Sequence, residues 1–481
     1  MSDFAATPVR TVELKPGEVI DGFRLVAPFG DGGTALLFHV EPVEVPDPGF
    51  PLLMKIPRVG SGQPAESILG FEMEAMILPM LAGRHVPRFV AAGDIARLPH
   101  LTMEWVEGTS LAVIAKDAPL PVERIAAIGA ALADAVHALH QQDVIHHDLK
   151  PDNVILRADG SAVLLDLGFA HHAHLPDLLT EERRFLAGSA PYVSPEQIGG
   201  SRDDPRGDLF ALGAVLYQLA TNRFPFGVPE NERAMRNRLW AAVIPPRARV
   251  PAIPPWLQEI ILRCLEPDPA VRYQSAAHIA FDLRNPGQVA LTARAERIER
   301  PGFTTQFKLW MRSREERNAL PVKPRVMVNQ APVIMVAVDT SHPEDPRHAA
   351  LQWTTRQMAV LNLEFRMICL SVVSPAEIDE ANPVTSSSSG LQLVHKVRLK
   401  NWIEPMGLPP ERVTLHVIES STPADSILEF AAANHVNLIV IGAPAPGDAA
   451  MAWWRSTASS VTANANCSVH VVRVGVVNGA G

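Results

Sequence analysis

The chain divides into two regions that differ in how their apolar residues are spaced. Over residues 122–140 apolar side chains recur at steps of three or four, and the same spacing returns over 208–222. This period predicts two amphipathic helices, each with one buried face. Residues 23–54 instead hold short apolar segments around a glycine-rich turn, which predicts strands. The first region is therefore expected to be strands followed by helices.

In the second region, short runs of Val, Ile and Leu alternate with segments of helix length. The runs cover residues 333–338, 365–373, 413–418, 438–441 and 469–474. Continuous apolar runs with helices between them are typical of a parallel sheet that is covered on both faces. The second region is therefore expected to be an α/β domain.

A basic stretch separates the two regions. Residues 291–325 hold nine Lys or Arg and four Asp or Glu, and no strand alternation. We interpret this stretch as a solvated linker that contains one helix. The predicted organisation is listed here in chain order: an N-terminal extension 1–20, a first domain 21–287, a linker 288–331, a second domain 332–475 and a tail 476–481.

Composition excludes several classes of protein. Of the 481 residues, 47% are hydrophobic, which is enough for sizeable cores, and the net charge of -9 argues against a nucleic-acid partner. No apolar run is long enough to span a bilayer, and the N-terminus has no apolar leader segment. The three cysteines are far apart and form no CxxC motif, which is typical of a protein in the reducing cytoplasm. We therefore expect a cytoplasmic protein and, from the missing apolar run, one without a membrane association.

A lysine in an apolar strand gives the first sign of chemistry. Lys55 lies within the segment LMKI, shortly after the glycine-rich turn GDGGTA at 30–35. Burying an ammonium without a partner charge is costly, so Lys55 needs a carboxylate or a phosphate. Glu74 is the candidate carboxylate; Glu72 is the other choice, although the register of the following apolar residues favours Glu74.

The segments HHDLKPDN at 146–153 and DLG at 166–168 carry a more specific signal. Transfer of a γ-phosphoryl group needs a carboxylate near the attacking hydroxyl, oxygen ligands for a metal ion, and cations against the phosphates. Asp148 would supply the first, Asn153 and Asp166 the second, and Lys55 and Lys150 the third.

Residues 21–287 resemble a eukaryotic-type Ser/Thr protein kinase domain of the sort found in bacteria. Further matching segments follow in order, namely MEWVEG at 103–108, GSAPYVSPE at 188–196, Asp208 and Arg272. The resemblance implies a bilobal α+β fold, with a β-rich first lobe, a helical second lobe and ATP between them. It also implies Ser or Thr hydroxyls of proteins as substrates.

The resemblance further assigns roles to single residues. Asp148 would be the catalytic base and Lys150 would steady the γ-phosphate, while Glu196 would pair with Arg272 and Asp208 would brace the catalytic loop. The implied nucleotide-contacting positions are Gly30, Gly32, Gly33, Leu37, Lys55, Glu74, Glu104, Val106, Asn153 and Asp166. Of these, Glu104 and Val106 would offer backbone hydrogen bonds to adenine. Asn153 and Asp166 would bind Mg²⁺, or Mn²⁺ in its place.

Three positions depart from the family pattern: Ala35 replaces a loop glycine, His147 an arginine, and Leu167 a phenylalanine. In the family that arginine grips a phosphate on the segment after the metal motif, which a neutral histidine cannot do. We therefore predict activity without phosphorylation of this segment, where Thr180 is the only hydroxyl between residues 169 and 188.

Three other interpretations of the first domain stay open. The altered loop and the missing arginine suit a nucleotide-binding pseudokinase scaffold. A small-molecule phosphotransferase would share Asp148 and Asn153, although the segment 188–197 speaks against it. His171, His172 and His174 invite a metal site, but an exposed polar loop is the simpler interpretation.

The second domain resembles a universal stress protein, with a flavodoxin-like parallel sheet. The resemblance depends on VAVDTS at 336–341, STPAD at 421–425 and NLIVIG at 437–442. Asp339 and Gly442 should lie at the carboxyl ends of strands, where such a sheet has its ligand cleft. Two glycines of the family's ATP motif are replaced, by Ala445 and Arg455, which favours ligand sensing or homodimerisation over nucleotide binding.

Overall fold

The computed structural model describes most of both regions. The described ranges are 14–31, 35–58, 66–94, 98–181, 189–229, 235, 242–299, 333–343, 345, 347–361, 366–375, 388–408, 412–434, 436–443 and 457–473. Among these residues, none of the helices combines the length and the apolar character needed to cross a bilayer.

The N-terminal part is an antiparallel six-stranded sheet in the order β1-β2-β3-β4-β6-β5. Its strands are β1 (Val19–Ile20), β2 (Phe23–Asp31), β3 (Ala35–Pro42), β4 (Leu52–Pro57), β5 (Phe89–Ala92) and β6 (Leu101–Glu104). Alternate apolar side chains of β2, β3 and β4 form one buried cluster, as the period of a half-buried strand requires. Helix α1 (Glu66–Ile77) connects β4 to β5 and packs against β4.

The next part is mainly helical. Its helices are α2 (Leu111–Ile114), α3 (Val122–His140), α4 (Leu178–Glu181), α5 (Pro195–Ile198), α6 (Arg206–Thr221), α7 (Pro246–Arg249), α8 (Pro255–Cys264), α9 (Ala276–Arg284) and α10 (Ala293–Glu296). The predicted apolar faces of α3 and α6 are buried and pack together in one core. Both helices therefore form where the three-to-four spacing predicted them.

Two small sheets border the polar segments 146–153 and 166–168. One has the order β10-β9-β7, and the other pairs β11 with β8. The strands are β7 (Thr109–Ser110), β8 (Val144–Ile145), β9 (Val154–Leu156), β10 (Ala162–Leu164) and β11 (His171–His172). The β9–β10 hairpin brings the two candidate metal ligands together, because Asn153 precedes β9 and Asp166 follows shortly after β10.

The C-terminal part is a parallel five-stranded sheet in the order β14-β13-β12-β15-β16. Its strands are β12 (Val333–Ala337), β13 (Arg366–Val373), β14 (Val413–Glu419), β15 (Leu438–Gly442) and β16 (Ser468–Val472), and its helices are α11 (Arg347–Leu361), α12 (Ser388–Ile403), α13 (Pro423–Ala433) and α14 (Thr457–Asn464). Separate apolar clusters cover the two faces. Each strand falls on a predicted apolar run, which confirms the parallel-sheet prediction.

The first residues of the predicted linker are docked on the helical part, whereas we expected a solvated tether. Thr292 and the Ala295 amide donate hydrogen bonds to the Glu259 carboxylate on α8, and Arg294 bonds both Glu259 and Glu266. Glu259 is buried, so a buried anion holds this stretch in place. Residues 300–331 of the predicted linker lie outside the described residues.

Candidate active site

The first cluster joins a lysine to two carboxylates beside the N-terminal sheet. Lys55 lies on β4, where its register partner on β3 is Leu37. Its Nζ is 2.5 Å from Glu74 Oε2 on α1 and 2.9 Å from Asp166 Oδ1 after β10. The Lys55 side chain is only 16% exposed, so these carboxylates supply the partner charge that its burial requires. The structure thus brings Glu74, rather than Glu72, to Lys55.

The three charges shift one another's pKa. Burial opposes the Lys55 ammonium, but Asp166 and Glu74 more than offset this and raise its pKa. The charge of Lys55 holds the pKa of the Asp166 carboxyl below its usual range, whereas burial raises the pKa of Glu74 against the pull of Lys55. Asp166 is therefore the carboxylate that stays ionised most readily, as a ligand for a hard cation must.

The turn after Asp166 lies directly against helix α1. A Cβ atom at Gly168 would come within 3.2 Å of the Gly70 oxygen, and one at Gly70 would come within 3.4 Å of the Gly168 oxygen. The two backbones are thus in close contact, and a methyl group at Gly168 would fit only after a small shift of α1. Asp166 itself has a φ of 61°, a left-handed conformation that costs energy for residues other than glycine. The position of α1 is therefore directly linked to that of Asp166.

The second cluster surrounds the carboxylate of Asp148, which is buried. Lys150 Nζ donates to Asp148 Oδ2 at 2.7 Å, and Asn153 Nδ2 donates to the same oxygen at 3.1 Å. The Ser189 amide donates to Oδ1 at 2.6 Å, and the Ser189 hydroxyl accepts a bond from Lys150 at 2.7 Å. The structure therefore assembles three residues that the sequence predicted for the site, together with Ser189, which it did not.

Asp208, at the start of α6, braces the loop that carries Asp148. It is fully buried and accepts hydrogen bonds from the backbone amides of His146 and His147 at 2.8 and 2.9 Å, and one from the His140 ring at 2.8 Å. Although burial opposes the anion, these bonds and the neighbouring histidines hold the pKa of Asp208 well below its usual range. Asp208 thus has the structural contact predicted for it.

Glu196 and Arg272 form the second predicted structural pair. Arg272 binds both carboxylate oxygens of Glu196, at 2.5 and 2.8 Å, and is almost completely buried. Its remaining donors reach backbone carbonyl oxygens, including those of Glu266 and Pro267. A fully satisfied guanidinium therefore ties α5 to the loop after α8.

A buried ion pair holds the segment after Asp166. Arg202 Nε donates to Asp177 Oδ2 at 2.7 Å, and Arg202 also donates to the Phe169 carbonyl oxygen at 2.8 Å. Asp177 accepts the Thr180 hydroxyl at 2.8 Å. Burial, together with the charge of Arg202, lowers the pKa of His147 to about 4, so this ring is neutral at pH 7. The His147 ring bonds the Arg202 carbonyl oxygen at 2.8 Å, and the carboxylate of Asp177 binds the Arg202 side chain.

The other predicted nucleotide-contacting positions lie near the same cleft or outside the described residues. The Glu104 carboxylate, at the end of β6, is bonded by Arg88 at 3.0 Å and Arg157 at 2.8 Å, and its amide donates to the Arg88 carbonyl. Both the carboxylate and the amide of Glu104 therefore already have partners within the chain. Val106 is buried two residues later. Gly30 lies in β2, one residue before its end, and Gly32 and Gly33 lie outside the described residues.

The expectation that the three histidines form an exposed loop is wrong for two of them. His171 and His172 are buried on β11, where they pair with Ile145 and Val144 of β8. His174 is exposed and lies 3.2 Å from Asp143. Among the described residues, no three His, Cys, Asp or Glu side chains converge as metal ligands do. His171 and His172 therefore belong to a small sheet, and His174 lies just beyond it.

The residues present do fit a hard divalent cation at Asn153 and Asp166. Asn153 uses its amide nitrogen on Asp148, which leaves its side-chain oxygen as a ligand. The Leu165 amide donates to the Asn153 carbonyl oxygen at 2.8 Å, so Asp166 follows directly beside Asn153. One carboxylate and one amide oxygen, completed by phosphate oxygens, match the preference of Mg²⁺ or Mn²⁺ for oxygen ligands.

Residues missed by the sequence analysis share one trait, which is that their partners are distant in the chain. Ser189 meets Asp148, and Asp177 meets Arg202. Ser189 could have been found as the polar residue within the segment 188–196. Nothing in the sequence pattern distinguishes Asp177 or Arg202 from ordinary surface charges.

The C-terminal sheet has its own polar end. Asp339 follows β12, and its carboxylate caps the Ser341 amide at 3.1 Å. Gly442 ends β15, and the Arg347 side chain lies over it and donates to the Ala443 carbonyl at 3.2 Å. The predicted strand ends therefore meet at one edge of the sheet, beside the guanidinium of Arg347. Ala445, Arg455 and the rest of the predicted motif lie outside the described residues.

Comparison with known families matches two stretches of the chain. Residues 63–281 match the protein kinase domain, and residues 332–473 match the universal stress protein family. The two matches fall on the bilobal part and on the parallel-sheet part, respectively.

Curated relatives include bacterial kinases. The serine/threonine-protein kinase Pkn1 of Myxococcus xanthus is 32% identical over 293 residues, which are 58% of this chain and 40% of that protein. A probable serine/threonine-protein kinase of Clostridium perfringens is 32% identical over 219 residues, 45% of this chain and 32% of the relative. PknB of Mycobacterium leprae is 30% identical over 238 residues, 48% of this chain and 38% of the relative. The chain thus spans less than half the length of each of these relatives.

Proposed function

We propose that this chain, which joins a protein kinase domain to a universal stress protein domain, is a serine/threonine protein kinase. It transfers the γ-phosphoryl group of ATP to Ser or Thr hydroxyls of proteins. The observation that carries the proposal is the pair of charged clusters, Lys55 with Glu74 and Asp166 in one and Asp148 with Lys150 and Asn153 in the other. The Leu165 amide, which donates to the Asn153 carbonyl oxygen, joins the segments that carry them.

The proposed roles follow from the charges. Asp148, fixed by Lys150, Asn153 and Ser189, takes the proton of the attacking hydroxyl. Lys150 is also placed to neutralise the γ-phosphate, since the same ammonium lies beside the carboxylate that receives the substrate. Lys55, held by Glu74, faces the other phosphates.

Asn153 and Asp166 would hold the divalent cation, for which Mg²⁺ is our first choice and Mn²⁺ the second. A bound cation of this kind stabilises the negative charge that develops on the transferred phosphoryl group. Lys55 keeps Asp166 ionised and oriented for this purpose through its 2.9 Å contact.

The two alternatives for the first domain lose their motivation. The pseudokinase interpretation was based on Ala35 and His147, and the match to the protein kinase domain and to bacterial serine/threonine kinases supports the enzyme instead. The small-molecule phosphotransferase interpretation does not account for Ser189, which joins the segment 188–196 to Asp148.

The test uses the purified full chain with labelled ATP, Mg²⁺ and a generic protein acceptor. Asp148→Asn should lower incorporation at least about a hundredfold, the usual range for a lost general base. Asp134→Asn is the matched control, because Asp134 lies in an exposed ion pair with Arg284. The label should be found on serine or threonine. Equal incorporation by the wild type and Asp148→Asn, or label on tyrosine alone, would contradict the proposal.

For the second domain we propose ligand sensing or homodimerisation rather than ATP binding. The replacements Ala445 and Arg455 remove two glycines from the phosphate loop of the family pattern, and Arg347 covers Gly442. Titration of the full chain with a non-hydrolysable ATP analogue should therefore give one site per chain. A second site that persists in Lys55→Met would reverse this preference, and light scattering reports the dimer.

A further inference from the structure

We propose that helix α12 of the C-terminal domain is a docking surface for helix α1 of the same chain, and that docking holds α1 where Glu74 meets Lys55. The docking surface consists of Lys396 and Lys400 on α12. Its effect on phosphoryl transfer depends on the proposed kinase activity, whereas the docking itself does not.

Two ion pairs join the domains. Lys396 Nζ bonds Glu72 Oε2 on α1, and Lys400 Nζ lies 2.5 Å from Asp94 Oδ1 just after β5. Lys396 and Lys400 are four residues apart, so they lie on the same face of α12. The helix therefore contacts the N-terminal sheet region at two points, which fixes its direction as well as its position.

Burial distinguishes the first pair from an ordinary surface contact. The Lys396 side chain is 5% exposed and the Glu72 side chain 17%, whereas lysines are almost never buried without a partner. The Lys400–Asp94 pair is 33% and 47% exposed, and a pair of that kind adds little binding energy. Lys396 is thus the anchor, and Lys400 adds orientation.

Helix α1 is built to transmit this contact to the active site. Glu72 and Glu74 are two residues apart, so their side chains leave α1 in directions that differ by about 200°. Glu72 meets the C-terminal domain while Glu74 meets Lys55. Because Gly70 of α1 touches Gly168, displacement of α1 would disturb both carboxylate partners of Lys55.

The opposite side of α12 reaches the ligand end of the C-terminal sheet. His395 Nδ1 lies 2.7 Å from Thr340 Oγ1, and Arg398 donates to the Thr340 carbonyl at 2.8 Å. The Thr340 hydroxyl also bonds Ser371 at 2.6 Å. Thr340 follows Asp339 at the carboxyl end of β12, where a parallel sheet has its ligand cleft. A ligand that moves this strand end would therefore act on α12, and through it on α1.

The experiment compares the full-length wild type with Lys396→Glu and Lys396→Met. Hydrogen exchange of the α1 amides, residues 66–77, reports docking without requiring catalysis. In both variants these amides should exchange at least about fivefold faster, and kcat/KM for the acceptor should fall by a similar factor, the lower end of typical coupling between sites. The methionine side chain of Lys396→Met is one atom shorter than lysine and carries no charge, so a result shared by both variants is not due to misfolding by a buried anion.

Reversal of both charges gives the decisive comparison. Glu72→Lys combined with Lys396→Glu should restore α1 protection and kcat/KM to within about twofold, whereas each single variant stays impaired. Arg284→Glu is the control, since Arg284 forms an exposed pair with Asp134 far along the chain from α1. Unchanged α1 exchange in Lys396→Glu would overturn the docking. Faster α1 exchange with unchanged kcat/KM would overturn its link to activity, and a rate per chain that rises with protein concentration would assign docking to a second copy instead.

Discussion

The Asp177–Arg202 pair yields a sharp prediction about how the kinase segment is held. We expect Asp177→Asn to lose activity and Thr180→Ala to keep it, because an internal carboxylate replaces the phosphate that the family pattern would require. His147 cannot serve as a phosphate clamp, since burial and Arg202 lower its pKa to about 4 and leave it neutral. Arg202 in turn is occupied by Asp177 and by the Phe169 carbonyl oxygen.

The magnitude follows from the burial of the pair. The side chains of Arg202 and Asp177 are 4% and 13% exposed, and their closest atoms are 2.7 Å apart. Removing one partner of a buried ion pair costs about 3–5 kcal/mol. Asparagine keeps a neutral acceptor for Arg202, so we expect Asp177→Asn to destabilise the ordered segment by about 2 kcal/mol. This is a factor of roughly 30 in the equilibrium constant between the ordered and the released segment. The Thr180 bond is a single hydroxyl contact worth about 1 kcal/mol, or no more than about fivefold.

The assay measures kcat with a protein acceptor on chains that a phosphatase has treated and whose intact mass is confirmed. The kcat of Asp177→Asn should be lower than that of the wild type by about tenfold or more, while the kcat of Thr180→Ala should stay within about fivefold of it. Thermal unfolding of each variant separates local release of the segment from global loss of structure. Loss of most turnover in Thr180→Ala, or wild-type turnover in Asp177→Asn, would refute the reasoning.

Two further predictions concern stability. Arg272→Met should destabilise the chain by about 3–5 kcal/mol, because it leaves the Glu196 carboxylate unpaired; the unfolding temperature should fall by roughly 10 °C, whereas Arg284→Met, in an exposed pair, should change it little. His147 should make the stability of the chain decrease as the pH is lowered. Its pKa in the folded chain, about 4, lies below the ordinary value of 6.5, so on acidification the unfolded state takes up the proton before the folded state does. About 3 kcal/mol should be lost between pH 7 and pH 4, and urea titrations of His147→Gln should show a flatter dependence; an unchanged slope would contradict the assignment.

The sequence was most informative where one physical constraint acts along the chain. Strands buried on both faces must be largely apolar, so the inner strands of the C-terminal sheet, such as β12 and β15, could be located from their runs alone. The edge strands β14 and β16 include polar residues but still carry enough Val, Ile and Leu to be located. The Lys55–Glu74 pair could be predicted because an ammonium within an apolar strand needs a charge and the helical period selects one of two glutamates. The domain boundaries 21–287 and 332–475 stay predictions.

The sequence was least informative where two distant segments meet. His171 and His172 look like a polar loop because a two-residue strand has no period, yet β8 pairs with them and buries both. Asp177 and Arg202 are single charges among many, and only the folded chain brings them together. Residues 288–299 look like part of a solvated tether because the stretch that follows is strongly basic and has no strand alternation, whereas the buried Glu259 binds Thr292 and Ala295.

Helix α1 shows why such distant contacts matter for function. The short helix α4, which follows Asp177, packs against α1 within the kinase domain, and α12 packs against it from the C-terminal domain. Gly70 meets the Asp166 turn between these contacts. Glu74 can bond Lys55 only when α1 lies in this position. Three segments that are distant in the chain, namely α4, α12 and the turn after Asp166, contact α1 and so bear on this one ion pair. Helix α1, which carries the partner of Lys55, therefore contacts segments of both domains, and this could not be assigned from the kinase motifs alone.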